Sequence, residues 1–308
     1  MDDWLIFKNL QKKYGSFEAL RGISFSSNTS GVIGLIGPNG AGKTTLIRIL
    51  LGLIQKNRGQ CLLLGHDVWI ESNILKKKVG VLLERPSYPP GLTVQQYLDC
   101  VQSLYGGISI DLDVKEWSDR LALPLDRSIG GLSAGMRRKM GLLAALTGQV
   151  EVVIMDEPTA NVDPIAREEI LELILTVQKQ TETKFLISSH LLFDLEKIAE
   201  EVIILVDGMI LEAGKTLNIL KKYESSNEYT CTVVKPEKFV SVLQKQDWVL
   251  EVVLDINQIF LKTKKVDSHQ IFHNILQLAT QENARLLNIG QVGSLTQVFR
   301  RMDDNDSE

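Results

Sequence analysis

The sequence has few cysteines, little net charge and no long apolar run. Three cysteines occur among 308 residues, at Cys61, Cys100 and Cys231, and they form neither a metal-ligand spacing nor an even disulfide set. This scarcity favours a reducing compartment with three packed thiols. The formal net charge is -4, and neither the part before residue 216 nor the part after it is basic. Composition therefore gives no support to a nucleic-acid partner.

The apolar segments are short. GVIGLIG, VVIM and VIILV have the length of strands, and none approaches the roughly 18 residues that a membrane-spanning helix needs. Acidic residues follow Met1, where a secretion signal would carry basic ones. We therefore expect a soluble chain. If the protein works at a membrane, another chain must supply the membrane part.

Buried strands alternate with helical patterns, which predicts an α/β fold with a largely parallel sheet. The main predicted elements are strands at 31–37, 151–157 and 184–189, helices at 43–52 and after Asp163-Pro164, and a hairpin at 202–214 with an Asp207-Gly208 turn. We predict one domain over 1–216, with a helical insert at about 85–130. A small C-terminal α+β domain of order βαββαβ follows over 217–302, and an acidic tail over 303–308.

A phosphate loop lies between the first predicted strand and helix. GPNGAGKTT matches G-x-x-x-x-G-K-[ST]. Its glycines let main-chain N–H groups face phosphate, Lys43 supplies charge to the β- and γ-phosphates, and the Thr44 hydroxyl can ligate Mg²⁺. The residues predicted to bind nucleotide here are Gly37, Pro38, Asn39, Gly40, Ala41, Gly42, Lys43, Thr44 and Thr45.

Candidate catalytic groups follow two later strands. Asp156 and Glu157 end an apolar strand, and strand alternation predicts that they point in different directions. Asp156 is a candidate Mg²⁺ ligand, and Glu157 a candidate to orient or deprotonate the attacking water. His190 follows the strand LISS and is a candidate to contact the γ-phosphate or that water.

A second helix start suited to phosphate occurs in GLSAGMRRK, residues 131–139. Ser133 is placed to cap the helix, small residues open its first turn, and a basic cluster follows. Two such helix starts in one chain raise the question of whether they serve the same ligand.

The motifs GPNGAGKTT, LSAGM, VVIMDEPTANVD and SSH occur in the order and approximate spacing of the ABC ATPases. Residues 4 to 220 resemble the nucleotide-binding subunit of an ABC transporter, a P-loop NTPase. The resemblance implies Mg²⁺-dependent ATP hydrolysis in a head-to-tail homodimer, in which Ser133, Ala134 and Gly135 of one copy cap the ATP of the other. It also implies that Tyr14 stacks on adenine and that Asp163 touches the partner.

Three positions depart from the family pattern. Glu84 stands where glutamine is usual, and its carboxylate can ligate Mg²⁺ but suits bare phosphate poorly. Ala134 replaces a glycine while keeping its N–H for capping. Asn161 stands where glycine is common, and nothing in the sequence explains it.

The C-terminal region resembles the small domain of bacterial export-type subunits, and the whole chain is most similar to those of antibiotic-peptide export and immunity. We expect that domain to be a dimerisation or packing module. The resemblance implies a separate transmembrane permease, a location on the inner face of the plasma membrane, and a peptide, drug or lipid-like cargo. Arg85, Tyr88 and Leu92 are candidates for the permease-binding groove.

Two alternatives remain. One is a soluble ABC ATPase acting in translation or DNA maintenance, although the chain has a single ATPase domain and no long coiled-coil insertion. The other is a weakly active regulatory ATP-binding protein, although Lys43, Asp156 and Glu157 are intact.

Overall fold

The computed structural model describes residues 3–105, 114–148, 150–160, 162–189, 192–223, 227–234, 236–255, 258–264 and 267–291. The chain divides into two compact units, Met1–Thr216 and Leu217–Glu308. Each unit has its own hydrophobic core. No helix of the described segments combines the length and apolar character needed to span a bilayer.

The first unit is an α/β structure. Its strands are β1 Leu5–Tyr14, β2 Phe17–Ser27, β3 Val32–Ile36, β4 Arg58–Leu63, β5 His66–Asp67, β6 Val79–Leu82, β7 Val152–Asp156, β8 Lys184–Ser189, β9 Ala199–Val206 and β10 Met209–Lys215. Its helices are α1 Lys43–Leu50, α2 Ser72–Leu75, α3 Val94–Leu104, α4 Val114–Arg120, α5 Ala134–Leu146, α6 Pro164–Gln180 and α7 Leu192–Ile198.

The larger sheet has the strand order β10-β9-β3-β8-β7-β6. All its neighbouring pairs are parallel except β9 and β10, which form the predicted hairpin through Asp207 and Gly208, both with positive φ. Every residue of β3 and of β7 is buried, as expected for a parallel sheet covered on both faces. The predicted parallel α/β core is confirmed.

A four-stranded antiparallel sheet, of order β2-β1-β4-β5, completes the first unit. None of its strands is among the predicted elements. Strand β1 shifts register against both of its neighbours, between Phe7 and Leu10 on one side and between Lys8 and Gln11 on the other, and Asn9 has a φ of 46°. These bulges break the alternation of apolar and polar residues, so the usual signal of a strand is weak.

The predicted helical insert is present. Helix α3 begins with a capping box, in which Thr93 accepts from the Gln96 N–H and the Gln96 side chain accepts from the Thr93 N–H. Helix α5 packs on β6 closely: a Cβ added at Gly80 would lie 2.0 Å from the Ala145 carbonyl oxygen. The insert itself contacts the same strand, because the Tyr105 hydroxyl at the end of α3 donates to the Val79 carbonyl at 2.9 Å.

The second unit has the predicted order βαββαβ. After α8 Thr216–Tyr223 its elements are β11 Glu228–Val233, α9 Pro236–Leu243, β12 Val249–Asp255, β13 Gln258–Thr263, α10 Ser268–Gln281 and β14 Leu286–Gln291. The antiparallel sheet runs β12-β13-β11-β14, and alternate residues of β11, namely Tyr229, Cys231 and Val233, join the core with side chains of α9 and α10. Residues 292–302 at the end of the predicted domain and the acidic tail over 303–308 lie outside the described residues.

Candidate nucleotide-binding site

The phosphate loop connects the end of β3 to the start of α1. Gly40 and Gly42 have φ values of 85° and 106°, in the left-handed region that favours glycine. A Cβ at Gly37 would lie 2.2 Å from the Leu205 carbonyl oxygen, so only glycine fits against β9. Gly42 is the N-cap of α1 and has no side chain, so the N–H groups of the first turn have no cap from it.

The β9–β10 turn is hydrogen-bonded to this loop. The Gly208 N–H donates to the Ala41 carbonyl at 3.1 Å, and the Arg21 N–H donates to the Gly208 carbonyl at 2.8 Å. One tight turn thus connects the phosphate loop to β2 of the antiparallel sheet.

Lys43 is a buried cation at the centre of the site. Its ammonium donates to the carbonyl oxygens of Gly37 at 2.6 Å and Pro38 at 3.1 Å, and it lies 4.0 Å from Glu157 Oε1. Burial lowers the pKa of Lys43, and three nearby carboxylates, that of Glu157 foremost, oppose this shift. The ammonium is therefore held beside the loop that the motif assigns to phosphate.

A cavity of about 600 Å³ lies over the loop. This volume falls within the range of small-molecule sites. Its lining residues come from the phosphate loop and the start of α1, from the carboxyl ends of the sheet strands, from β2 and from α6: Phe17, Ala19, Pro38, Asn39, Gly40, Ala41, Gly42, Lys43, Thr44, Thr45, Glu84, Asp156, Glu157, Thr159, Ala160 and Arg167. Three predicted carboxylates and nearly the whole predicted loop therefore meet in one cavity.

Both acids at the end of β7 line this cavity, although strand alternation alone predicts that they point in different directions. Strand β7 ends at Asp156, and Glu157 has a φ of 54°, which turns the chain out of the extended conformation. The Ser188 hydroxyl donates to Asp156 Oδ1 at 2.5 Å. The Glu157 N–H lies 3.0 Å from the Ser188 hydroxyl oxygen and 3.2 Å from its carbonyl oxygen.

The donor set suits Mg²⁺ that is shared with a nucleotide. Thr44, Asp156 and Glu84 supply hard oxygen atoms to the same cavity. Across the described residues, no group of three or more His, Cys, Asp or Glu side chains is arranged to hold a metal ion by itself. Mg²⁺ commonly takes one or two protein carboxylates and completes its coordination with phosphate oxygens and water.

Glu84 follows β6 and has a half-exposed side chain, with Oε1 3.7 Å from Arg85 Nε. The position therefore places a carboxylate, rather than a neutral amide, at the cavity wall.

The start of α5 is not part of this cavity's lining. Ser133 is its N-cap, as predicted, and its hydroxyl accepts from the Met136 N–H at 3.2 Å. Ser133 and Ala134 are exposed, and a Cβ at Gly135 would meet nothing within 4 Å. None of these three residues lines the cavity over the phosphate loop. The starts of α1 and α5 therefore do not line the same cavity within one chain.

The remaining residues predicted for the site are not lining residues of this cavity or lie outside the described residues. Tyr14 is exposed, lies under the Lys12 ammonium, and is not a lining residue; its cross-strand partner Phe17, 60% exposed, lines the cavity instead. Asp163 caps α6 by accepting from two main-chain N–H groups, and that of Ala166 contributes most to lowering its pKa. His190 and Asn161 lie outside the described residues.

Sequence reasoning missed two groups besides Phe17. Arg167 lines the cavity, with its Nε 3.8 Å from Asp194 Oδ2, which also accepts from the Thr159 hydroxyl at 2.8 Å. Arg138, in the basic cluster that we associated with phosphate, is buried and donates to main-chain carbonyls. Because Arg138 points inward, it is not available to a phosphate at the start of α5. The helical period of α5 could have indicated this, since it places Arg138 on the buried face of the helix.

The family model for the ABC transporter matches residues 20–160. An uncharacterized ABC transporter ATP-binding protein, YxlF of Bacillus subtilis (strain 168), is 30% identical over 258 residues, which span 81% of this chain and 82% of that protein. The chain belongs to the ABC transporter ATP-binding family. It is accordingly an ATPase subunit of an ABC transporter.

Two further relatives have assigned cargo. The Nod factor export ATP-binding protein I of Burkholderia orbicola (strain AU 1054) is 31% identical to this ABC ATPase, over 74% of the chain and 75% of the relative. The bacitracin transport ATP-binding protein BcrA of Bacillus licheniformis is 32% identical over 66% and 67%. A solved dimeric cassette with ADP and phosphate has a TM-score of 0.60 at 19% identity, covering 69% of this chain and 98% of that one, which shows the shared fold.

We predict that Lys43→Ala lowers kcat for ATP hydrolysis by at least about 100-fold, because a buried cation beside the phosphates is lost. Phosphate release and titration with a fluorescent ATP analogue measure turnover and affinity. Arg48→Ala, on the exposed face of the same helix, is the matched control and should behave like the parent protein. Parent-like turnover in Lys43→Ala would exclude the phosphate-loop assignment.

We predict that Glu84→Gln remains active, with kcat within about tenfold of the parent, because the amide keeps an oxygen for Mg²⁺. Binding of ATP in the presence of a chelator should become stronger, because one negative charge leaves the cavity wall. Glu182→Gln, an exposed site elsewhere, controls for the charge change. An inactive Glu84→Gln would show that the carboxylate has a specific role.

Proposed function

We propose that the subunit works as a homodimer in which each ATP lies between the phosphate loop of one copy and the start of α5 of the other. Binding of two nucleotides would close the dimer, and hydrolysis would release it. The dimer would drive a separate transmembrane permease from the inner face of the plasma membrane.

The observation that carries this proposal is the open start of α5. The exposed Ser133 and Ala134, together with the half-buried Gly135, form a helix N-terminus suited to anions, yet none of the three lines the chain's own cavity. A second copy bound head to tail would supply the nucleotide that this helix start faces. Relatives with the same cassette fold include a dimer solved with ADP and phosphate.

The site residues have separate tasks in this proposal. Lys43 offsets the charge of the β- and γ-phosphates. Thr44 and Asp156 would hold Mg²⁺, which when bound would supply positive charge beside the phosphoryl oxygens. Glu157 accepts a proton from the attacking water as its oxygen bonds to the γ-phosphorus. The bond to the bridging oxygen breaks, and ADP and phosphate leave. Phe17, at the cavity rim beside Tyr14, offers a flat surface to the base.

An apolar groove between the insert and the sheet supports a membrane partner. It has a volume of about 390 Å³ and is lined by Tyr88, Tyr97, Val101 and Leu104, among others, and Leu104 is 75% exposed. Of the three residues predicted for this groove, Tyr88 lines it, whereas Arg85 and Leu92 do not; the Arg85 side chain is 92% exposed. We propose that a short helix of the permease binds here.

Export of a peptide, drug or lipid-like compound is the direction and cargo class that we propose. The support is that relatives covering most of the chain are named for Nod factor export and bacitracin transport. A role in translation or DNA maintenance has no such support, and the chain's net charge of -4 does not favour it.

We predict that Glu157→Gln binds ATP but hydrolyses it at least about 100-fold more slowly, because the amide cannot accept the water's proton. Size-exclusion chromatography with ATP should then show an accumulated dimer, and without ATP a monomer. Glu182→Gln is the matched control, which should turn over normally and form no lasting dimer. A monomeric profile of Glu157→Gln at saturating ATP would contradict the shared-site arrangement.

We predict that the parent chain co-purifies from membranes with its permease and that Leu104→Asp loses this association, because a charge cannot be desolvated against an apolar helix. Leu211→Asp, at an exposed leucine of β10, should retain it. Circular dichroism would establish that both variants are folded. Equal recovery of the permease with both variants would place the binding surface elsewhere.

A further inference from the structure

Arg138 lies in the second turn of α5 and is 5% exposed. Its guanidinium is directed at main-chain oxygens on the sheet side of the helix. Nη1 donates to the carbonyls of Leu83 and Glu84, at 2.8 Å each. Nη2 donates to the carbonyls of Asp156, at 3.4 Å, and Glu157. None of the roles proposed for Lys43, Thr44, Asp156 and Glu157 involves this side chain.

The four carbonyls belong to two turns that leave neighbouring strands. Strands β6 and β7 are paired in parallel, with Leu82 opposite Met155, and the chain turns away after each. One turn carries Glu84 and the other carries Glu157. The rigid, planar fork of a guanidinium can hold two such turns at once, whereas the single ammonium of lysine cannot span them in the same way.

Glu157 needs this kind of support. Its φ of 54° lies in the left-handed region, where a residue with a side chain is strained unless its surroundings hold it. Ser188 accepts from its N–H on one side, and Arg138 donates to its carbonyl on the other. The peptide groups on both sides of the Glu157 side chain are thus tied, one to β8 and one to α5.

We propose that Arg138 is a positioning residue that sets the carboxylate of Glu157 and the turn at Glu84 according to the position of α5. The proposal rests on the role proposed above for Glu157. Because the start of α5 would cap the ATP of the partner copy, Arg138 connects capture of that nucleotide to hydrolysis of the chain's own. In this role Arg138 acts through the main chain.

The test measures kcat and the affinity for ATP separately, in variants of the full chain. Arg138→Gln should bind a fluorescent ATP analogue within about threefold of the parent, while kcat falls by about 10- to 100-fold, the loss typical of a misplaced catalytic group. Arg138→Lys, which keeps the charge, should recover only part of kcat. Guanidinium chloride at tens of millimolar should raise kcat of Arg138→Ala, and equal concentrations of sodium chloride should not.

Lys139→Gln is the matched control. Lys139 is the next residue of α5 and anchors it through the Leu121 carbonyl at 2.8 Å and Glu169 at 3.4 Å, away from Glu157. Thermal unfolding gives the folded fraction of each variant. Parent-like kcat in both Arg138→Gln and Arg138→Lys would overturn the inference. So would a loss equal to that of Lys139→Gln per folded molecule, or no response to guanidinium.

Glu157→Gln, measured in parallel, separates two failures. If Glu157→Gln keeps the parent turnover, the assignment of the catalytic carboxylate is wrong whatever Arg138 does. If Glu157→Gln is inactive while both Arg138 variants turn over normally, only the positioning role fails.

Discussion

Parallel pairing of β3, β8 and β7 brings the phosphate loop and its carboxylates to one edge of the sheet. Ile36 pairs with Ser189, and Asp156 pairs with Ser188, so the chain leaves adjacent strands at matching levels. The Ser188 hydroxyl then bonds to Asp156 across that edge. A shift of one residue in this register would reverse the faces of the side chains and separate the groups that the cavity needs together. The remaining parts of the site are attached to this edge.

Sequence patterns over short stretches predicted the strands, the hairpin and the element order, because these depend on residues that are near one another in the chain. The buried runs gave β3, β7 and β8, Asp207-Gly208 gave the hairpin, and the order of the second unit followed from alternating segments. Bulges around Asn9 hid the antiparallel sheet, and the positive φ of Glu157 defeated the alternation rule. Arg138 was missed for another reason: it contacts carbonyls 55 residues earlier and 19 residues later, which only the folded chain brings near.

The charges around the cavity favour one form of the nucleotide. Its lining contains the carboxylates of Glu84, Asp156 and Glu157 against the cations Lys43 and Arg167. A bare triphosphate would meet an excess of negative charge at close range, where Coulomb repulsion is only partly screened. A metal ion removes this conflict, because carboxylates and phosphates then share a cation. The departure at Glu84 thus strengthens a preference that the cavity already has.

The open start of α5 also bears on the kinetic order of the reaction. If each hydrolytic site needs the helix start of a second copy, the rate at low concentration rises with the square of the protein concentration. It becomes proportional to concentration once most copies are paired. A permease that holds two copies side by side raises their effective concentration and removes this dilution penalty. Copies that are not bound to a permease would then hydrolyse little ATP, and most hydrolysis would occur at the permease.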